Sequence, residues 1–366
     1  MKIRLALLEN NTDYLERIVS SFTTKYEDKF EIYSFTDQKA AMKVLDSAKI
    51  DVFIASDVFH TNISDIPMRC AFASFVDIPS AEGAGSGQKT ICRFQKSEQI
   101  YKQILNLYSE KAGALFEAKG SGGDAQLLLF NSVSGGTGAS SVAAACAMHF
   151  TAQRKRVLYL NLEKFGSSEV FFKGEGQFNM SDVIYAIKSK KGSLSLKLES
   201  CVRQSSAGVF FFAPVQTALD MFELNSEESM LLISELSRMG AYDVIIIDMD
   251  FVLDKELLRI YRQVHSVIWV GDGSEVSNSK IERAYRALIM LDQNADLPLA
   301  EKICLMYNKF SNKTGKILTG IELRSLGGVP RFEHASAMQV LTQLSSMEIL
   351  DKMNQMAEIL RQPGER

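Results

Sequence analysis

The sequence predicts an α/β protein with two doubly wound domains, because two series of alternating strands and helices lie on either side of a glycine-rich stretch. That stretch covers residues 120–124 and reads GSGGD, a composition typical of a linker. In each series, short apolar runs alternate with amphipathic segments, which indicates parallel sheets covered by helices on both faces. We therefore expect a first domain over residues 1–112, a linker over 113–124 and a second domain over 125–366.

The strands and helices follow from the periodicity of apolar residues along each half of the chain. The strands expected in the first domain are 2–8, 30–35, 52–55, 70–75 and 90–94, with helices at 12–26, 38–47 and 101–107. The strands expected in the second domain are 127–133, 157–162, 208–212, 244–247, 266–270 and 302–307. Its expected helices are 140–154, 226–239, 255–263, 277–291 and 337–360.

Composition restricts the classes of function. The chain has 366 residues and a net charge of −3, so the molecule as a whole has no strong attraction for nucleic acid. Its five cysteines are scattered without a CxxC pair, which favours reduced thiols in a cytoplasmic protein. No apolar run approaches the roughly 20 residues that span a bilayer, so we expect a cytoplasmic protein whose association with a membrane would be indirect.

The most informative motif is residues 132–141, SVSGGTGASS, which follows a predicted strand and opens an alanine-rich helix. Glycines allow successive backbone N–H groups to converge on an anion, and the helix N-terminus adds partial positive charge. The motif therefore predicts a phosphate-binding loop, with a glycine-rich turn that binds nothing as the alternative. The predicted nucleotide-binding residues of the loop are Ser134, Gly135, Gly136, Thr137, Gly138, Ala139, Ser140 and Ser141.

Two residues are predicted to hold magnesium beside this loop. Ser140 lies where a hydroxyl can ligate Mg²⁺. Asp248 follows four aliphatic residues, 244–247, which puts its carboxylate at the C-terminal edge of a buried strand.

The loop resembles the deviant Walker A motif of the ParA/MinD ATPases, but Ser134 and Ala139 occupy its two lysine positions. In that family the first lysine reaches across a dimer and the second binds the β- and γ-phosphates. Asn161 and Glu163 occupy the Walker A′ positions, where relatives use an acidic residue to orient the attacking water. The resemblance implies ATP, Mg²⁺ and a homodimer, and the replacements predict weak or absent hydrolysis. Lys164 and Lys309 are candidates to replace the missing charge.

Two later segments extend the resemblance. The strand at 302–307 is followed by Asn308, which in relatives bonds the adenine base, and residues 328–331 resemble the turn that packs near the base through Pro330. Residues 208–215 resemble the strand and Ala-Pro turn of the TadZ/CpaE branch. That branch carries a flavodoxin-like receiver domain in front of the ATPase-like domain.

The front domain resembles a receiver whose chemistry is incomplete. Its first strand is followed by Glu9 and Asn10 where receivers have an acidic pair, and Ser56 stands at the acceptor position with Asp57 one residue later. The fifth strand ends in 93–97, RFQKS, where receivers have Lys-Pro. We interpret residues 1–112 as a pseudo-receiver that is not phosphorylated and serves protein interactions, including dimerisation; a plain α/β domain unrelated to receivers is the alternative.

Three hypotheses for function follow. The resemblance to TadZ/CpaE implies a localisation factor for Tad/Flp (type IV) pilus assembly, which would bind pilus assembly proteins but no specific nucleic acid and would lie at the inner membrane face or cell pole. An active ParA/MinD-type ATPase that partitions or positions cargo is the second hypothesis. A response regulator that signals through its front domain is the third. The methionine-rich segment after residue 337 is expected to pack on the core rather than to insert into a membrane.

Overall fold

The computed structural model describes residues 2–78, 89–111, 124–190, 192–292 and 299–353. The chain forms two compact units, one made of Met1–Glu117 with Ser189–Cys201 and the other of Ala118–Lys188 with Val202–Arg366. The predicted linker at 113–124 lies, apart from Asp124, outside the described residues. Among the described helices, none is long and apolar enough to cross a membrane.

The first unit contains a five-stranded parallel sheet in the order β2-β1-β3-β4-β5, which is the flavodoxin-like order that the sequence predicts. The central strands are buried on both faces because helices cover the sheet from either side. Its elements are β1 (Ile3–Leu8), α1 (Thr12–Lys25), β2 (Phe30–Phe35), α2 (Gln38–Ser47), β3 (Val52–Ser56), β4 (Ala71–Val76), β5 (Thr90–Cys92) and α3 (Ser97–Lys111).

The second unit contains an eight-stranded sheet in the order β13-β12-β11-β6-β10-β7-β9-β8, parallel except for the antiparallel edge strand β8. The elements after α3, in chain order, are β6 (Gln126–Asn131), α4 (Ala139–Ala152), β7 (Val157–Asn161), α5 (Ser168–Phe171), α6 (Met180–Ser189), α7 (Leu194–Cys201), β8 (Arg203–Gln204), β9 (Phe210–Phe211), α8 (Asp220–Glu223), α9 (Ser226–Arg238), β10 (Val244–Asp248), α10 (Lys255–Gln263), β11 (Ser266–Gly271), α11 (Glu275–Leu291), β12 (Ile303–Phe310), β13 (Arg324–Pro330) and α12 (Ala337–Ser345). The doubly wound architecture predicted for both halves is confirmed.

The alanine-rich helix α4 packs against the centre of this second sheet. Residues 142–147 are fully buried, and five of these six are alanine or cysteine. Small side chains allow the helix backbone to approach β6, β10 and β7 closely. The start of α4, and with it the glycine-rich loop, is therefore held at the carboxyl edge of the sheet.

Helix α7 belongs to the first unit, although its residues lie in the second half of the sequence. Leu196 of α7 joins the apolar cluster formed by β1, α1 and α3. Glu199 accepts hydrogen bonds from the hydroxyl of Tyr101 at 2.7 Å and from Nζ of Lys29 at 2.9 Å. Helix α7 was not predicted from the sequence; its partner Tyr101 is about a hundred residues away in the chain.

The segment near the C-terminus differs from the sequence prediction. The helix expected over 337–360 ends at Ser345, and a second helical stretch covers 349–353; residues beyond 353 lie outside the described range. Met353 is buried and Met347 packs against the core, but Met338 is 52 % exposed. Residues 328–331, expected as a turn, instead contain the end of β13, which lies at the sheet edge where proline is tolerated.

Candidate nucleotide site

Three glycines give the loop between β6 and α4 its shape. Gly135, Gly136 and Gly138 have φ angles of 64°, 66° and 87°, in the left-handed region that other residues rarely adopt. A Cβ atom on Gly138 would lie 2.6 Å from Nδ2 of Asn308, so a side chain at this position would require Asn308 to move. In the described part of the chain, the backbone N–H groups of Gly136, Thr137 and Gly138 have no protein acceptor. Such a loop leaves donors available for an anion at the start of a helix.

Hydroxyl groups fix the first half of the loop. Ser132 donates from Oγ to the carbonyl of Val270 at 2.8 Å, and Thr137 donates from Oγ1 to Oγ of Ser132 at 2.8 Å. Ser134, at the position of the cross-dimer lysine in relatives, lies 2.9 Å from Oγ of Ser277 on α11. The side chain that replaces this lysine therefore makes a contact within its own unit.

Asp248 lies at the end of β10, directly beside Asn161 at the end of β7. Its side chain is almost fully buried and accepts a hydrogen bond of 2.6 Å from the hydroxyl of Tyr159. Tyr159 was not among the residues predicted for the site, although strand alternation places it on the same face as Asn161, two residues later. The buried phenol satisfies one carboxylate oxygen of Asp248.

Asn161 connects the two carboxylates of the site. Its Nδ2 lies 3.3 Å from Oδ2 of Asp248 and 3.2 Å from Oε2 of Glu163. Oε1 of Glu163 in turn accepts a hydrogen bond of 3.2 Å from Oγ of Ser140. The fold thus brings together four of the residues proposed from the sequence: Ser140, Asn161, Glu163 and Asp248.

Burial, followed by the nearby charge of Glu163, raises the pKa of Asp248 to about 8, although hydrogen bonds from Tyr159 and Ser140 act in the opposite direction. A cation would relieve this cost, and the hydroxyl of Ser140 and the carboxylate of Asp248 are the oxygen ligands that Mg²⁺ prefers. Among the described residues no group of three or more His, Cys, Asp or Glu side chains could hold a metal. Ser140 and Asp248 could hold a magnesium ion, which commonly keeps several waters and takes phosphate oxygens beside one or two protein ligands.

Asn308 and Lys309, at the end of β12, both contact the loop. Asn308 is buried and donates from Nδ2 to the carbonyl of Thr137 at 2.8 Å, and Nζ of Lys309 donates to the carbonyl of Gly136 at 2.9 Å. Lys164 is directed elsewhere, since its Nζ contacts the carbonyl groups of Met221 and Leu224.

Unlike Asn308, which bonds the loop directly, Pro330 pairs with a neighbouring strand. It lies at the exposed end of β13 and pairs with Phe310 of β12. Ser141 lies within the first turn of α4, one residue after Ser140.

In the first unit, the position of the receiver pocket is filled by Arg93, which follows β5. The guanidinium lies 3.3 Å from Oε2 of Glu9, 3.1 Å from Oδ1 of Asp57 and 2.6 Å from Oδ1 of Asp77. Ser56 is buried at the end of β3, and its Oγ lies 3.4 Å from Nη2 of Arg93. From the sequence, Arg93 marks only the end of the fifth strand, because its partners come from three separate connections.

The fold and the sites define a protein with a receiver-like unit followed by a doubly wound unit that carries a phosphate-loop motif. Residues 1–109 match the family described as "TadZ-like, receiver domain", which confirms the resemblance to TadZ/CpaE for this part of the chain. No curated protein matches the chain in sequence.

Solved structures of ParA and MinD proteins are similar to the chain over about two thirds of its length. A ParA family ATPase from Chlorobium tepidum is 19% identical, with a TM-score of 0.48, covering 65% of this chain and 98% of that one. MinD from Pyrococcus horikoshii, complexed with Mg-ADP, is 15% identical, with a TM-score of 0.48, covering 65% and 99%. A chain of the MinC:MinD cell division protein complex from Aquifex aeolicus is 14% identical, with a TM-score of 0.47, covering 64% of this chain and 95% of that one. The strand order of the second sheet and the geometry of its glycine-rich loop define the fold of this chain independently of these similarities.

Proposed function

We propose that this protein is an ATP-binding scaffold that localises Tad/Flp (type IV) pilus assembly, with Mg-ATP stabilising a homodimer and hydrolysis slow or absent. The observation that carries the proposal is the combination of a TadZ-like receiver domain with a loop of three left-handed glycines beside Ser140 and Asp248. Recruitment of pilus assembly proteins, and a position at the inner membrane face or the cell pole, follow from the family of the front domain and belong to the proposal.

Slow hydrolysis is expected from the side chains around the loop. Because residue 139 is alanine, no lysine at this position stabilises the charge on the transferred phosphoryl group. A group that stabilises such charge lowers the transition-state free energy by about 3 kcal/mol. Asn161 is an amide where relatives have a carboxylate, and it is already engaged with Glu163 and Asp248. ATP would therefore act mainly as a structural ligand.

An exposed aromatic pair supports a second copy as partner near this site. Phe165 is 78 % exposed, and its ring centroid lies 5.5 Å from that of Phe222, which is 52 % exposed. Phe165 follows Glu163 by two residues, and Glu163 contacts Ser140 at the start of α4. Large exposed aromatics beside a ligand site are typical of surfaces that a partner covers.

Arg93 supports the interpretation of the front domain as a pseudo-receiver. Its guanidinium already forms ion pairs with Glu9 and Asp57, the carboxylates that follow β1 and β3. A response regulator would need that pocket for a metal and a phosphoryl group. Incubation with acetyl phosphate and Mg²⁺, followed by intact mass measurement, should leave the protein unmodified; a phosphoryl adduct on Asp57 would instead favour the response-regulator hypothesis.

The active ATPase remains the second candidate because one lysine does reach the loop. Nζ of Lys309 lies on the carbonyl of Gly136, whereas Lys164 is held by carbonyls from the segment around α8. If Lys309 supplied the missing charge, steady phosphate release would follow.

The deciding experiment measures ATP–Mg²⁺ binding by calorimetry, phosphate release on the same sample, and mass by light scattering with and without ATP. Binding without release, together with an ATP-dependent dimer, is the expected result. Steady release would favour the active ATPase. No binding at millimolar ATP would contradict the proposal and leave the loop as a structural turn. In cells, the scaffold role predicts that a variant unable to bind ATP loses pilus assembly and focal localisation.

A further inference from the structure

We infer that Asn308 and Lys309 are positioning residues for the phosphate loop: they hold two consecutive carbonyl groups and so orient the N–H groups of Thr137 and Gly138 toward an incoming phosphate. This inference rests on the proposed nucleotide-binding function and deepens it. It assigns Asn308 a role that does not depend on the base of the nucleotide.

The two contacts are adjacent in both segments. Asn308 donates to the carbonyl of Thr137 at 2.8 Å and Lys309 donates to the carbonyl of Gly136 at 2.9 Å. In a regular strand, consecutive side chains point to opposite faces, so two neighbours could not reach the same loop. Lys309 escapes this alternation because its φ is +57°, and the pairing of β12 with β13 is irregular between Tyr307 and Phe310. Such irregularities re-aim a side chain at a specific target.

A left-handed backbone conformation is unfavourable for lysine, as it is for most residues other than glycine. Lys309 is exposed, so packing of its side chain in the core does not explain the left-handed backbone. The contact with Gly136 is the interaction that the unusual backbone makes possible.

Peptide planarity converts these contacts into orientation of the loop. In a trans peptide the C=O of one residue and the N–H of the next point in opposite directions. When the carbonyls of Gly136 and Thr137 are held from β12, the N–H groups of Thr137 and Gly138 must point away from it. These are N–H groups without an acceptor in the described part of the chain. A loop with three left-handed glycines gains the most from such a restraint, because glycine loses the most conformational freedom on ordering.

The test uses the full chain and calorimetry with three ligands: ATP, GTP and inorganic tripolyphosphate. The variants are Lys309→Ala, Lys309→Gln, Lys309→Arg and Asn308→Ala, with Lys313→Ala as a control that removes the same charge from the same exposed connection. Thermal unfolding verifies that each variant is folded. Because Lys309 is exposed, its variants keep the test informative even if the buried Asn308→Ala destabilises the unit.

Loss of one hydrogen bond that orients the loop should weaken binding about three- to tenfold. We expect Lys309→Ala and Asn308→Ala to weaken the binding of all three ligands by a similar factor. Lys309→Gln, which keeps a donor but not the charge, and Lys309→Arg should both bind nearly as the wild type, as should Lys313→Ala.

Three results would overturn the inference while leaving nucleotide binding intact. Binding unchanged in Lys309→Ala would show that the contact is not needed. Lys309→Gln as weak as Lys309→Ala, with Lys309→Arg normal, would show that charge rather than position matters. A loss in Asn308→Ala confined to ATP would assign Asn308 to base recognition. If the wild type binds none of the ligands, the proposed function itself fails, which is a separate outcome.

Discussion

Arg93 forms an ion pair with Glu9, with Nη1 3.3 Å from Oε2, and the two side chains are 10% and 0% exposed. Each comes from a different connection at the carboxyl edge of the first sheet, Glu9 after β1 and Arg93 after β5. A carboxylate removed from water in this way requires a partner. The ion pair therefore occupies the place where a receiver has its pocket, and it serves there as a structural contact.

Replacing Arg93 by alanine should destabilise the first unit by about 3 kcal/mol, because Glu9 would keep a buried charge without its partner. Hydrogen exchange of the β1 and β3 amides measures the stability of this unit. The chain's only tryptophan, Trp269, is buried in the second unit, and its fluorescence should be unchanged.

Arg69→Ala provides the matched control, since Arg69 pairs with Asp46 where both side chains are largely exposed. Loss of such a surface pair should cost less than about 1 kcal/mol. The double variant Arg93→Met/Glu9→Gln should recover much of the stability by removing both charges. Equal losses for Arg93→Ala and Arg69→Ala would contradict the importance of the buried pair.

Gly138→Ala should abolish ATP binding. The added Cβ would lie 2.6 Å from Nδ2 of Asn308, on a backbone whose φ of 87° is strained for alanine. Gly320→Ala is the control, because Gly320 has a φ of 88° but open space around its Cβ position. We expect Gly320→Ala to cost about 1 kcal/mol of stability and to bind ATP normally, by calorimetry. Normal ATP binding by Gly138→Ala would mean that the loop is not the phosphate site.

The stability of the second unit without metal should fall as the pH rises toward 8. Burial, followed by the charge of Glu163, raises the pKa of Asp248 from 3.8 to about 8 on folding. Between these values the folded protein holds a proton that the unfolded chain has released, so the free energy of unfolding falls as the pH rises across this window.

Thermal unfolding followed by Trp269 fluorescence in EDTA, from pH 5 to 8, measures this dependence. Mg²⁺ favours the ionised carboxylate, so adding Mg-ATP should stabilise the unit most at the high end of the range. Asp248→Asn, which cannot titrate, should flatten the profile. A pH dependence that persists in Asp248→Asn would assign it to another group.

Phe165→Ser should prevent the ATP-dependent dimer without weakening ATP binding. Phe165 is highly exposed and makes its aromatic contact with Phe222, so its removal should leave the fold intact. Light scattering with ATP measures the dimer, and calorimetry measures the ligand. Tyr185→Ser is the control, because Tyr185 of α6 is 70 % exposed. Equal dimerisation of the wild type and Phe165→Ser would exclude this surface.

Local patterns in the sequence were sufficient for the architecture. Strand and helix periodicity predicted both parallel sheets, and the glycines of residues 135–138 predicted a loop at the start of a helix, where the structure places three left-handed glycines. These features depend on residues close together in the chain, where the steric freedom of glycine and the burial of apolar faces act directly. Asp248 was found for the same reason, since an acidic residue after a buried aliphatic strand lies at the carboxyl edge.

The partners of these residues were decided only by the tertiary structure. Tyr159 on Asp248, Lys309 on Gly136 and Arg93 on Glu9 join segments 84 or more residues apart. The core contacts of α7 likewise lie in the first unit although its sequence lies within the second half. Sequence patterns specify which way a side chain faces within its own element, but which group it meets depends on strand order and on backbone exceptions such as the left-handed Lys309.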